Sequence, residues 1–171
     1  GVLSGVSLFD GVLVEGSAPR FGGGVFAGTQ PDPRSFGWSD AIEEYGVYGQ
    51  VRLGTPGARR WSLTTGAISS YDHGRINRDF LCVDAQVTDR RWSAFVSQEF
   101  DVNRGWRAGG GPPRVSPPSA FAVVRAQVTS ALSLNAGYDR RRSVLLYRDR
   151  VTPETELDDR VRRGAWFGAG L

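Results

Sequence analysis

Apolar and polar residues alternate with period two over most of the chain, most clearly in residues 78–102. On the first arm Leu81, Val83, Ala85 and Val87 share one side, while Phe80, Cys82, Asp84, Gln86 and Thr88 share the other. On the second arm Trp92, Ala94, Val96, Phe100 and Val102 oppose Ser93, Phe95, Ser97, Glu99 and Asp101. Successive side chains of a strand point to opposite faces, so this period predicts two strands. A tight turn over Thr88-Asp89-Arg90-Arg91, centred between Asp89 and Arg90, sets Val87 opposite Trp92, Ala85 opposite Ala94, Val83 opposite Val96 and Asp84 opposite Phe95. Apolar residues then meet apolar ones along one side of the hairpin.

Residues 120–138 repeat the unit. Ala120, Ala122, Val124, Ala126 and Val128 form one face, which Leu132, Leu134, Ala136 and Tyr138 continue across a three-residue turn, Thr129-Ser130-Ala131. That register sets Gln127 opposite Ser133 and Arg125 opposite Asn135. Further strands are predicted over 45–53, 61–71 and 161–171, and over 21–28, where Gly22, Gly23 and Gly24 weaken the pattern. Residues 2–8 and 11–16 are two short strands around an Asp10-Gly11 turn, or one long strand. The connection 29–44 holds Pro31, Pro33 and Trp38, and within it residues 39–44 are the one stretch open to a helix. Residues 105–118, with three consecutive glycines and four prolines, are predicted to be loop.

The result is an all-β chain forming one domain over 1–171, with about ten strands in up-and-down antiparallel order. The short connections fall together at one end of the sheet and the long ones at the other. The connection around Asp72-His73-Gly74-Arg75 is intermediate.

Composition changes this picture little. All 21 basic residues are Arg, and the net charge of +3 is mild. The basic residues are spread over many strands among acids, which argues against a nucleic-acid surface. A single cysteine, Cys82, excludes an internal disulfide framework and a cysteine-based zinc site. No apolar run is long enough for a membrane helix and no amino-terminal signal peptide is visible, but a barrel strand needs only about 9–11 alternating residues to cross a bilayer. Beginning at Gly1 rather than Met, the chain reads as a processed product or a fragment.

Short turns at one end, long polar loops at the other and strands of barrel length together resemble a bacterial outer-membrane β-barrel. The resemblance is architectural, covers nearly the whole chain and points to no subfamily. It implies a transmembrane β-barrel of about ten strands, or part of a larger one, located in the bacterial outer membrane. The implied role is a narrow pore, a transporter part or a structural membrane protein. The implied partners are the lipid bilayer, lipopolysaccharide, and a partner chain or further strands that complete the barrel.

Two girdles of aromatics fit that resemblance. Trp61 and Trp92 lie on the apolar face at the short-turn ends of their strands, and Tyr45, Tyr71, Phe100 and Tyr138 lie on the same face toward the long loops. On tilted strands the two rows stand about 25 Å apart, the height of a lipid-facing band. The lumen would then receive Arg52, Asp84, Glu99, Asp101, Arg125, Asp139 and Arg141, with pairing between the two signs. Arg140 and Arg142, just beyond Tyr138, would meet lipopolysaccharide phosphates or pair with the acidic loop ahead. The family's terminal strand ends in an aromatic; here the end is Gly170-Leu171, with Phe167 nearest, as in a truncated barrel.

The competing reading is a soluble, lipocalin-like β-barrel with the same alternation turned inside out and a small apolar ligand within. Catalysis has little support. His73, the only histidine, has Asp72, Ser69 and Ser70 nearby in sequence, but nothing fixes a triad. The Gly109-Gly110-Gly111 run lacks the continuation of a phosphate loop. Asp101 to Gly105 lacks the spacing of a calcium loop, and the acidic run 154–159 reads first as a solvated loop. No catalytic residue, cofactor or metal ligand is therefore assigned.

Overall fold

A computed structural model describes residues 10–32, 35, 37–55, 57–108, 113–144, 146–147 and 160–170. They form one all-β antiparallel sheet. The strands are β1 (Asp10–Ser17), β2 (Phe21–Thr29), β3 (Ile42–Gly54), β4 (Arg60–Asp72), β5 (Arg75–Thr88), β6 (Trp92–Val102), β7 (Val115–Ser116), β8 (Ser119–Gln127), β9 (Ser133–Arg141) and β10 (Arg162–Gly170). Each long strand pairs with the next in sequence, and the short β7 sits beside β6 within the loop that leads to β8.

The sheet is not closed. Among the described residues β1 pairs only with β2 and β10 only with β9, so both edge strands have an unpaired side. Nearly all residues of these two strands are exposed on both faces. The expectation of a self-contained closed barrel is corrected accordingly. The proposed strand at 2–8 lies outside the described residues.

Several local expectations change as well. Asp10 and Gly11 make no turn; they pair with Thr29 and Gly28 inside β1. Residues 39–44 form no helix, because Ile42 and Glu44 already belong to β3 and pair with β4. The loop 105–118 contains a single 3-10 turn, Gly105–Ala108, as well as β7. In the 78–102 hairpin Val87 faces Ala94, Ala85 faces Val96, and Asp84 faces Ser97. The observed register is thus shifted from the expected one. The cause is a turn centred one residue later, between Arg90 and Arg91, and closed by the Asp89 amide donating to the Trp92 carbonyl at 2.8 Å. The shift is even, so every residue keeps its face. The 120–138 hairpin has the expected register, Gln127 with Ser133 and Arg125 with Asn135.

The connections after β1, β3, β5 and β8 are short and fall at one end of the sheet, and the long ones after β2, β6 and β9 fall at the other, as expected. The connection expected to be intermediate is instead the shortest, the two-residue turn at 73–74, and it lies at the long-loop end. Both residues of that turn have positive φ, 48° at His73 and 76° at Gly74, as a type I′ hairpin requires.

The sheet curls so that one face is concave and covered. Phe26, Tyr48, Ile68, Phe80 and Cys82 are buried there beside Glu44, Thr64, Ser70 and Asp101. Three of the inner aromatics have glycine directly across the strand pair. Phe26 faces Gly46 and Tyr48 faces Gly24, and Trp166 faces Gly137. A Cβ on Gly46 would come within 2.2 Å of the Phe26 ring, and one on Gly137 within 2.0 Å of the indole of Trp166. Gly46→Val is therefore expected to destabilise by about 1–3 kcal/mol, the usual cost of overpacking. Gly49→Val, where an added Cβ meets nothing within 4 Å, should be neutral or slightly stabilising, since valine suits a strand better than glycine. Urea unfolding of the two variants measures the difference.

The convex face is apolar and bare. Val25, Val47, Leu53, Trp61, Leu63, Leu81, Val96 and Val124 all point outward and are exposed.

Candidate functional site

The chemistry of the concave face divides along the strand axis. Toward the long loops it carries a charged cluster. Arg78, on β5, donates through NH2 to Glu99 Oε2 at 2.7 Å and through Nε to Asp101 Oδ1 at 2.9 Å. Arg107, from the 3-10 turn, donates to the other Asp101 oxygen at 3.1 Å. The Asp101 and Arg107 side chains are only 3% and 7% exposed, so both carboxylate oxygens are engaged with little water, while the second terminal nitrogen of Arg107 is buried with no hydrogen-bond partner among the described residues. The Arg78 guanidinium also lies 4.1 Å from the centre of the Phe80 ring, a cation–π contact on the same face.

A cap of side chains closes over this end of β5 and β6. The Trp106 indole donates to the Ile76 carbonyl at 2.6 Å and meets the Tyr147 ring edge-on at 5.7 Å. The Tyr147 amide donates to Asn77 Oδ1 at 3.0 Å. Asn77 is buried at the register shift beside Ser70 and Tyr71, and its amide donates to Ser70 Oγ. Asn103 ties the base of the loop back to Ser116 and to the Pro113 carbonyl. On the convex side, Arg104 pairs with the nearly buried Asp79 and donates to the Tyr71 hydroxyl at 3.3 Å.

The short-turn end of the concave face is open and basic. Arg52, Arg60 and Arg125 lie on its strands with Ser62, Gln86, Thr88 and Ser93. Of the acids expected to line the interior, Glu99 and Asp101 fall within the charged cluster. Asp84 is half-buried further along β5, opposite Ser97, and forms no ion pair. Asp139 and Arg141 lie beside the open edge formed by β9 and β10 and pair with each other at 3.0 Å. Arg52 and Arg125 meet no carboxylate among the described residues, so the expected pairing of opposite signs holds for only part of the set. The partners that matter most, Arg78 and Arg107, carried no expectation. Arg78 shares the face of Phe80 and Asp84 and could have been read from the alternation. Arg107 sits in a glycine- and proline-rich loop whose sequence has no period.

The six expected girdle aromatics share the convex face. Trp61, Trp92, Tyr45 and Tyr138 are exposed, and Tyr71 and Phe100 are half-buried. Tyr45 and Tyr71 meet edge-on at 6.3 Å. At the opposite end the Arg59 guanidinium lies 5.9 Å from the Trp92 ring centre and pairs with Asp89 at 2.8 Å. Arg140 is on the convex face directly across from Arg163, and its NH1 donates to the Pro117 carbonyl at 2.6 Å. The Arg142 amide donates to the Pro118 carbonyl at 2.8 Å. The acidic run 154–159, the alternative partner of this pair, lies outside the described residues, as does the glycine run 109–111.

His73 is exposed in its turn, with Nδ1 against the Asp72 carboxylate. That hydrogen bond and the carboxylate's charge raise the imidazole above its ordinary value of 6.5. In an NMR titration His73 is expected to have its midpoint above 6.5, and Asp72→Asn to return it toward the free value. The folded state favours the protonated ring. Its small stabilising contribution is therefore complete below about 6.5 and is lost as pH rises through the raised midpoint. No group of metal-ligating side chains gathers among the described residues.

No known protein family, curated protein or solved structure matches the chain.

Proposed function

We propose that the chain is the wall of a bacterial outer-membrane β-barrel, a narrow pore, transporter part or structural barrel with no catalytic centre. The observation that carries this reading is the inverted polarity of the sheet. Leucine, valine and tryptophan cover the exposed convex face of β2 to β9, while Glu44, Asp101 and Arg107 are buried on the concave side beside the cluster of Phe26, Ile68, Phe80 and Cys82. Soluble monomers rarely expose a contiguous apolar surface of more than a few hundred Å². A lipid-facing band needs such a surface, flanked by aromatics at both interfaces.

The charges buried on the concave side, Glu44, Asp101 and Arg107, weigh against the lipocalin-like alternative, which needs an apolar interior for its ligand. The unpaired sides of β1 and β10 favour completion of the barrel by further strands, of the same or another polypeptide. Backbone groups left unpaired in hydrocarbon would cost several kcal/mol each. Arg140, held opposite Arg163, is suited to lipopolysaccharide phosphates at the outer rim, with Arg142 beside it; a phosphate between two like charges removes their repulsion.

Quenching by brominated lipid tests the proposal. In single-tryptophan variants reconstituted in vesicles, Trp61 and Trp92 are expected to be quenched strongly and Trp106, under its cap, weakly. Recovery of the chain as a water-soluble monomer without detergent would contradict the proposal.

A further inference from the structure

The arginines of the concave face fall into two sets. Arg78 and Arg107 are held by carboxylates. Arg20, Arg52, Arg60, Arg91 and Arg125 gather at the short-turn end, and none of them has an ion-pair partner among the described residues. Arg20, Arg52 and Arg60 line a cleft of about 540 Å³ with Ser62, Gln86 and Thr88. Thr88 also borders a second cleft of about 320 Å³, where Arg91 and Arg125 stand beside Ser93 and Asn135. The one carboxylate lining either cleft is Asp89, which is already engaged by Arg59.

The donors of the first cleft are fixed by the sheet. Arg60 and Thr88 are direct cross-strand partners, as are Ser62 and Gln86, and Arg52 faces Ser62 from the other side. The Arg52 NH2 group donates to the Ala18 carbonyl at 2.9 Å and to the Phe21 carbonyl at 3.3 Å, which orients the guanidinium before any ligand arrives. One preset guanidinium fork, that of Arg52, beside the uncommitted guanidinium of Arg60 and flanked by hydroxyls and an amide, with no competing carboxylate, provides the chemistry that recognises phosphate oxygens.

We infer that this cleft binds a small phosphate-bearing solute, with Arg52 and Arg60 donating to the phosphate and Ser62 and Thr88 supplying hydroxyl donors. The donors all lie on the concave side, with Leu53 and Trp61 of the convex face at the rim of the cleft, so the inference holds whether the convex face meets lipid or water.

Calorimetric titration of the full chain in a non-ionic detergent with inorganic pyrophosphate tests it. Saturable binding that weakens as NaCl is added is expected. Combining R52Q with R60Q should raise Kd by about tenfold or more, a loss of about 1.4 kcal/mol. R114Q, in the 103–118 connection at the far end of the sheet, should leave it unchanged. Arg60 has no ion-pair partner among the described residues, so R60Q alone, checked by circular dichroism, decides the matter if the double variant does not fold; a severalfold weakening is expected. No saturable binding up to about 10 mM pyrophosphate, weaker than any specific site of this kind, overturns the inference, as does wild-type affinity in R60Q. Binding of dihexanoyl phosphatidylglycerol but not of pyrophosphate would assign the cleft to a lipid headgroup and overturn the soluble solute.

Discussion

Asp101→Ala is expected to be the most destabilising single substitution in the sheet, costing about 3–5 kcal/mol. The carboxylate takes one guanidinium on each oxygen, Arg78 on one and Arg107 on the other. Removing it leaves the Arg107 charge buried with nothing to offset its desolvation. Arg78 retains Glu99 and partial access to water and should tolerate the loss better. Arg107→Met reverses the situation, because Asp101 keeps Arg78 and a flexible apolar chain fills the space, so its cost should be clearly smaller. Asp89→Ala is the control. Arg59 and Asp89 pair at a similar distance on the exposed turn, and loss of an exposed pair should leave stability unchanged within error. Urea unfolding of the reconstituted chain gives all three values, and equal midpoints for D101A and D89A would show that the cluster is not desolvated.

The contrast between these two ion pairs marks the limit of what the sequence makes legible. The alternation in 78–102 places Asp84, Glu99 and Asp101 on one face and Leu81, Val83 and Val96 on the other, and these assignments survive even though the turn is centred one residue later than expected. They survive because a slip of two residues preserves faces, whereas pairing partners depend on the register itself. The aromatic–glycine pairs are hidden for the same reason. Phe26 and Gly46 lie on different strands joined by the long segment 30–41, and no local pattern indicates that they will meet. Asn77 is hidden more deeply. It occupies a break in the β4–β5 register, where an extra residue turns inward and lets Tyr147, from the connection after β9, anchor over the end of the strands beside Trp106 of the 103–118 loop. Arg107 reaches Asp101 only because that loop folds back. The segment's glycines and prolines correctly predict irregular backbone but give no direction to a side chain. Faces are a local property of the chain, and the charged cluster depends on long-range contacts.

The solvent of the convex face produces the second large effect. Leu81 and Val124 lie on that face, 44% and 47% exposed, and both are set well back from the turns. If water covers them, arginine there is an ordinary surface change of no more than about 0.5 kcal/mol. If hydrocarbon covers them, Leu81→Arg and Val124→Arg are each expected to cost about 2–4 kcal/mol near the bilayer midplane. Leu53 makes the argument a matter of depth rather than of side-chain loss. It is 53% exposed on the same face but pairs with Trp61 beside the short turn, at the level of the aromatic girdle. Leu53→Arg places the charge where headgroups and water can reach it, so its penalty should fall to about 0–1 kcal/mol. Folding titrations of the three variants into vesicles measure this gradient directly. A steep fall from Leu81 to Leu53 is the signature of a lipid-facing wall. Three equal, small penalties would place the convex face in water and require another explanation for its tryptophans and valines.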